Sequence, residues 1–136
     1  MQIVGLDHIQ LAMPPGGEVK ARRFYGEILG LTEVAKPAPL VSRGGCWFEG
    51  RRAVVHLGVE ENFVPARKAH PGFRVADLAE ARRVLEAAGA PIVPDNTLPN
   101  VRRFYTADPF GNRLELIKDG DDFTHKFGPE SLTTKI

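Results

Sequence analysis

Little in this sequence is present in excess. It has one cysteine, Cys46, so no intrachain disulfide can form and the fold must rest on packing and hydrogen bonds. Charge of neither sign dominates: 18 Lys and Arg face 17 Asp and Glu, mixed along the chain, for a net charge of +1. That balance gives no electrostatic grip on nucleic acid or on an anionic membrane surface. No apolar run approaches the roughly 20 residues that cross a bilayer. The opening MQIVGLDHIQ has no basic segment ahead of a long apolar stretch, as a secretory signal would. A cytoplasmic location is expected. The turn at Gly44-Gly45 lacks the flanking residues of a phosphate-binding loop.

What is present is enough for one globular domain. The chain has 136 residues, 43% of them hydrophobic, which can bury a respectable core. Its pattern divides into two similar halves. LDHIQLAM (6–13) alternates as a strand, and Pro14-Pro15-Gly16-Gly17 then opens a helix from about Glu18 to Leu29, with Val19, Phe24, Ile28 and Leu31 marking its buried side. Extended pieces are expected at Leu40–Ser42, Cys46–Glu49 and Ala53–Val59. The polar stretch Glu60 to Ala69 reads as a connector.

The second half repeats the plan. A strand is expected at His70–Val75, and Asp77-Leu78-Ala79-Glu80 has the form of a capping box that starts a helix running to Ala88. Both helices carry Ala-Arg-Arg, at 21–23 and 81–83, and stop at Gly30 and Gly89. Extended pieces follow at Pro91–Pro94, Val101–Thr106 and Asn112–Lys118, with Asp108-Pro109-Phe110-Gly111-Asn112 turning between the last two. The polar tail from 119 is expected to be loose or to contact a partner.

Four side chains able to bind a divalent metal fall at matching places in the halves: His8 and His56 in the first, His70 and Glu115 in the second. Their strand neighbours Ile9, Leu57, Phe73 and Leu116 are apolar and off-phase with them. The four candidates are therefore expected on the sheet face turned away from the helices. His125, in the polar tail, has no counterpart in the pattern.

The motifs DHIQLAM, ARRFYGEILGL, HPGFRV with DLAEARRVLEAAG, and RRFYTADPFGNRLELI together resemble the vicinal oxygen chelate superfamily. That superfamily includes glyoxalase I, epimerases, extradiol dioxygenases, fosfomycin-resistance enzymes and bleomycin-binding proteins. The resemblance covers about residues 5–118. It implies an α+β fold of two βαβββ modules, about 5–60 and 69–118, within a single domain. The modules would form a curved mixed sheet around a central cavity, with the helices on its outer face and 119–136 as a tail.

Carried over motif by motif, the resemblance implies His8, His56, His70 and Glu115 as metal ligands. His56 stands where glyoxalase I typically has a glutamate implicated in proton transfer. Three imidazoles and a carboxylate suit Zn, Ni, Co, Mn or Fe better than Ca or Mg. An octahedral ion held by all four would keep two positions open for adjacent substrate oxygens. Without His56 the set is a two-His, one-carboxylate triad suited to Fe(II) and O2.

Glu115, the one carboxylate of the set, is the candidate base, and Tyr105 the candidate second catalytic group. Trp47, Phe48 and Arg103 are candidates to contact substrate, with core packing and a solvated edge as their competing roles. The expected function is a metal-dependent lyase or isomerase that chelates a small oxygenated substrate and moves a proton. An Fe(II) extradiol-type dioxygenase and a bleomycin-resistance-like binding protein are the alternatives. A thiol transferase acting on fosfomycin lacks a supporting basic cluster. The expected partners are a small-molecule substrate and a second copy of the chain, with no nucleic acid or membrane.

Overall fold

A computed structural model describes residues 1–123 of the chain. Its elements follow the two-half plan. The first half holds β1 (Ile9–Met13), a helix from Glu18, β2 (Thr32–Val34), β3 (Cys46–Glu49) and β4 (Val54–Val59). The second holds β5 (Gly72–Val75), α2 (Leu78–Ala87), β6 (Val93–Pro94), β7 (Arg103–Ala107) and β8 (Arg113–Lys118). Each half builds one four-stranded mixed sheet, in the orders β1-β4-β3-β2 and β5-β8-β7-β6. The first strand of each runs parallel to the last, and β2–β3, β3–β4 and β6–β7 pair antiparallel. This is an α+β fold of two βαβββ modules. No described helix is long and apolar enough to cross a membrane.

The chain separates into two compact units, Met1–Pro71 with Ala107–Arg113, and Gly72–Thr106 with the residues from Leu114 onward. The turn between β7 and β8 thus belongs to the first unit although it lies late in the sequence.

In the first unit the register sorts side chains onto two faces. Ile9, Leu11 and Met13 of β1 sit level with Val55, Leu57 and Val59 of β4, and Cys46 and Phe48 of β3 pair with Leu57 and Val55. The rings of Phe48 and Tyr25 lie 5.8 Å apart, so this face meets the first helix. Leu11, Met13, Cys46, Phe48, Val55 and Leu57 are all buried there. The opposite face carries Val34, Trp47, His56 and Gln10 side by side across four strands.

The first helix departs from the expected geometry. It is α-helical over Glu18–Ala21 (α1) and widens into a π-helix over Arg22–Ile28, where the amide of Leu29 donates to the carbonyl of Phe24. The wider turn brings the consecutive residues Phe24 and Tyr25 inward together. Val19, expected on the buried side, is 77% exposed, and Ala21 takes that place. Leu40–Ser42, expected as a strand, lies in a 3-10 helix over Ala38–Arg43, because Pro37 and Pro39 favour a tight turn and cannot donate to a ladder. The other helix start is as the sequence indicates: the carboxylate of Asp77 accepts from the amide of Glu80. Gly30 and Gly89 end their helices at φ +76° and +79°, a conformation side chains with a Cβ rarely adopt.

A buried polar knot holds the late turn within the first unit. One oxygen of Asp108 accepts from the amides of Phe110 and Asn112, at 2.9 Å each. The other accepts from the Tyr25 hydroxyl at 2.7 Å and from Nδ2 of Asn112 at 2.9 Å. Asn112 also donates to the carbonyl of Ala12 and accepts from the amide of Ala66. Burial, then the negative charge of Asp108, push the Tyr25 hydroxyl well above its ordinary pKa, so it stays a donor.

The tail begins tied down rather than loose. Asp121 accepts from the backbone amide, Nε and Nη2 of Arg102, and Phe123 lies 5.1 Å from the Arg103 guanidinium carbon. His125 lies outside the described residues.

Two outcomes are expected from these contacts. Asp108→Ala should cost about 3 kcal/mol in urea unfolding, since it strands several buried donors, whereas Tyr25→Phe should cost about 1–2 kcal/mol. Equal losses would show that the knot is not centred on Asp108. Hydrogen bonds from Arg102 hold the Asp121 carboxyl down at about 2. Its contribution to stability should be complete above the ordinary carboxylate range and fade as pH falls toward 2. In Arg102→Ala, carboxyl resonances should show Asp121 titrating higher.

Candidate functional site

The open face of the first sheet is built around a stack of rings. Trp47 and His56 are register partners on β3 and β4, and their rings lie parallel, 3.7 Å apart at an interplanar angle of 3°. The His8 ring covers the other side of His56, with centroids 4.2 Å apart and planes 23° apart. His56 is buried, and that burial, followed by the nearby His8, lowers its pKa, so the neutral imidazole is favoured.

His8 lies one residue before β1 and is exposed. Its Nδ1 is 2.8 Å from Oδ1 of Asp7. His70, expected inside a strand, instead precedes β5 by two residues, and its Nδ1 is 2.8 Å from the carbonyl oxygen of Lys68. Neither oxygen can donate, since one belongs to a carboxylate and the other to a peptide. Each ring must therefore carry its proton on Nδ1, which puts the lone pair of the neutral form on Nε2. His70 also lines an open cavity of about 460 Å3 in the first unit, together with Ile9–Ala12, Glu60 and Val64.

In the second unit Arg103 organises the polar groups. Its side chain is 11% exposed. Nη1 donates to Oε2 of Glu115 at 3.3 Å and to the hydroxyl of Tyr105 at 3.2 Å, while Nη2 donates to Oδ2 of Asp95 at 3.2 Å. Nε of Arg103 and Oγ1 of Thr106 are buried without a hydrogen-bond partner among the described residues. Glu115 and Tyr105 are themselves buried. The structure thus brings three expected site residues, Arg103, Tyr105 and Glu115, into one hydrogen-bonded group. A spacing of two along β7 from Arg103 to Tyr105 was the signal available in the sequence; Asp95, in the loop after β6, gave none.

His8, His56 and Trp47 form a second group. Phe48, proposed beside Trp47 as a substrate contact, is instead fully buried against Tyr25, because adjacent strand residues face opposite ways. Among the described residues no three His, Cys, Asp or Glu side chains are gathered closely enough to hold a metal ion.

Residues 17–117 match the family model described as a glyoxalase-like domain. The chain belongs to that family. Among solved structures, this glyoxalase-like chain is similar to a glyoxalase family protein from Bacillus anthracis, with 47% identity and a TM-score of 0.83 over 87% of this chain and 97% of that one. A glyoxalase/dioxygenase from Nostoc punctiforme is 23% identical, with a TM-score of 0.70 over 88% and 92% of the two chains. The fosfomycin resistance protein FosX from Listeria monocytogenes, in a complex with Mn(II) and sulfate, is 18% identical, with a TM-score of 0.69 over 86% and 91%. At such identities the last two show the fold alone. No curated protein matches the glyoxalase-like chain.

Removing Arg103 should reveal how much of the second unit depends on it. Arg103→Met leaves Glu115 and Asp95 without their shared cation and should cost about 3 kcal/mol in chemical unfolding. A double variant with Glu115→Leu should recover part of that loss. Strict additivity of the two single effects would show that the pair is not coupled.

Proposed function

We propose that this glyoxalase-like protein is a divalent-metal-dependent enzyme in which His8, His70 and Glu115 hold the ion, supplied by two copies of the chain, since no three such groups are gathered among the described residues of one copy. The reaction is proton transfer on a small substrate with adjacent oxygens, of the lyase or isomerase type. One observation carries the reading: both His8 and His70 donate Nδ1–H to an acceptor-only oxygen at 2.8 Å. Metal-ligating histidines characteristically do so, because the outer hydrogen bond fixes the tautomer and strengthens Nε2 as a donor. Glu115 has the corresponding support for a carboxylate, accepting from Arg103 at 3.3 Å. The buried Nε of Arg103, unpartnered among the described residues, adds beside Glu115 a donor that a bound anion could satisfy. Two imidazoles and one carboxylate, each with an outer partner, fit a borderline ion such as Zn, Ni, Co, Mn or Fe.

Such an ion, once bound, supplies Lewis acidity to the substrate oxygens. The chain's own groups do the remaining work. Glu115 is the proton acceptor, oriented by Nη1 of Arg103, and its burial keeps bulk water from competing for the transferred proton. The Tyr105 hydroxyl, held by the same Nη1 at 3.2 Å, is the second group able to return a proton. The Nε–H of Arg103 is the group able to donate to a substrate oxygen. The homodimer expected for this superfamily and a small-molecule partner belong to the same reading.

Metal content decides it. Untagged protein loaded anaerobically with Zn, Ni, Co, Mn or Fe should hold near one equivalent, and His8→Ala, His70→Ala and Glu115→Gln should each weaken binding by at least tenfold. Loaded protein should then turn over 2-oxoaldehyde thiol adducts or epimerise an acyl thioester, and Glu115→Gln should abolish it. Oxygen uptake with a catechol by the iron form would instead assign extradiol chemistry. Absence of any bound ion under all loading conditions would overturn the metal reading in favour of a binding protein.

A further inference from the structure

His56 has ligand chemistry in its side chain and occupies a matching position in the two-half pattern, yet its surroundings give it a different part. We infer that His56 is a positioning residue, a stacking spacer that transmits the rigidity of β3 and β4 to the ring of His8. This rests on the proposal that His8 is a metal ligand.

Geometry separates the two roles. An imidazole binds a metal through a lone pair lying in its own ring plane, at roughly 2 Å. The His8 and His56 rings are stacked, centroids 4.2 Å apart and planes inclined by only 23°. Planes so nearly parallel meet far beyond bonding distance, so the two rings cannot aim in-plane lone pairs at one ion while stacked. His56 is covered on its other side by Trp47 at 3.7 Å and 3°. Swinging it into a ligating pose would break both contacts.

The need for a spacer comes from where His8 sits. It precedes β1 by one residue, outside the ladder that pairs Ile9 with Val55, so strand pairing does not fix it. Among the described residues its ring makes two specific contacts, with Asp7 and with His56. Asp7 has a side chain 95% exposed, so its hydrogen bond fixes the tautomer of His8 but not the plane of its ring. His56 is the opposite: buried, on an inner strand of the sheet, and clamped by Trp47. An imidazole between an indole and a second imidazole keeps the contact flat. The Trp47–His56–His8 stack therefore sets the ring plane of His8, and with it the direction of Nε2. Locking a ligand's rotamer by packing in this way limits the freedom lost when an ion binds.

Replacement by a residue that stacks but has no lone pair separates spacer from ligand. Co(II) alone is titrated into wild-type protein, His56→Phe, His56→Ala and Trp47→Ala, following affinity and the visible ligand-field spectrum. Fluorescence of Trp47, the one tryptophan of the chain, reports the stack. His56→Phe is expected to bind one equivalent within about threefold of wild type, with an unchanged spectrum. His56→Ala and Trp47→Ala should bind about tenfold more weakly, the scale of an outer-shell loss, with altered emission in His56→Ala. A His56→Phe protein that loses Co(II) as fully as His56→Ala, with a changed spectrum in any residual complex, makes His56 a ligand and overturns the inference. Undiminished binding by His56→Ala overturns it as well, since positioning would then be needless. A wild-type protein that takes up no Co(II) removes the metal reading, and this inference with it.

Discussion

The Asp108 carboxylate is the constraint on which the rest of the first unit depends. Its two oxygens collect two amides, a phenol and a side-chain amide within one buried turn. Those donors come from residues 25, 110 and 112, and Asn112 extends the network to Ala12 and Ala66. The helix, the first strand, the connector and the late turn are thereby held by one charge. A buried carboxylate is tolerable only when so fully satisfied, because an unpaired one would cost more than the surrounding packing supplies.

Much of this plan was legible in the sequence because it depends on local chemistry. The Asp77 cap, the glycine stops at 30 and 89, the alternation in β4 and the turn at 108–112 each follow from residues close in the chain. What escaped depends on contacts distant in sequence. The π-widening at Arg22–Ile28 serves the burial of Tyr25 against Asp108, 83 positions later. Helical spacing alone placed Val19 inside. The prolines at 37 and 39 speak against a strand there, although Leu40 and Val41 are apolar. Adjacency in the chain puts Phe48 beside Trp47, whereas strand alternation puts them on opposite faces.

The candidate site was legible as residue types and not as relationships. Sequence position gives His8, His56, His70 and Glu115 equal standing. Their surroundings differ in kind: two imidazoles have an oxygen at Nδ1, one is enclosed between flat rings, and the carboxylate is held by a guanidinium. No spacing rule distinguishes these environments, because Lys68 contributes only a backbone carbonyl and the stack depends on register between β3 and β4.

For the proposed ion site Arg103 is the sharpest electrostatic constraint, since a cation beside Glu115 would oppose the arrival of another. Two features reduce that opposition. Asp95 shares the guanidinium at 3.2 Å, so Arg103 with its two carboxylates carries a net negative charge. A carboxylate also offers about four lone-pair sites, and accepting from Nη1 through Oε2 uses one of them. Lysine at position 103 could supply the charge but not the fork, which here reaches Tyr105, Glu115 and Asp95 at once. The arginine thus fixes the direction of Glu115 without consuming its charge. A bound ion and a proton acceptor need the same thing from it: a carboxylate held in place before substrate arrives.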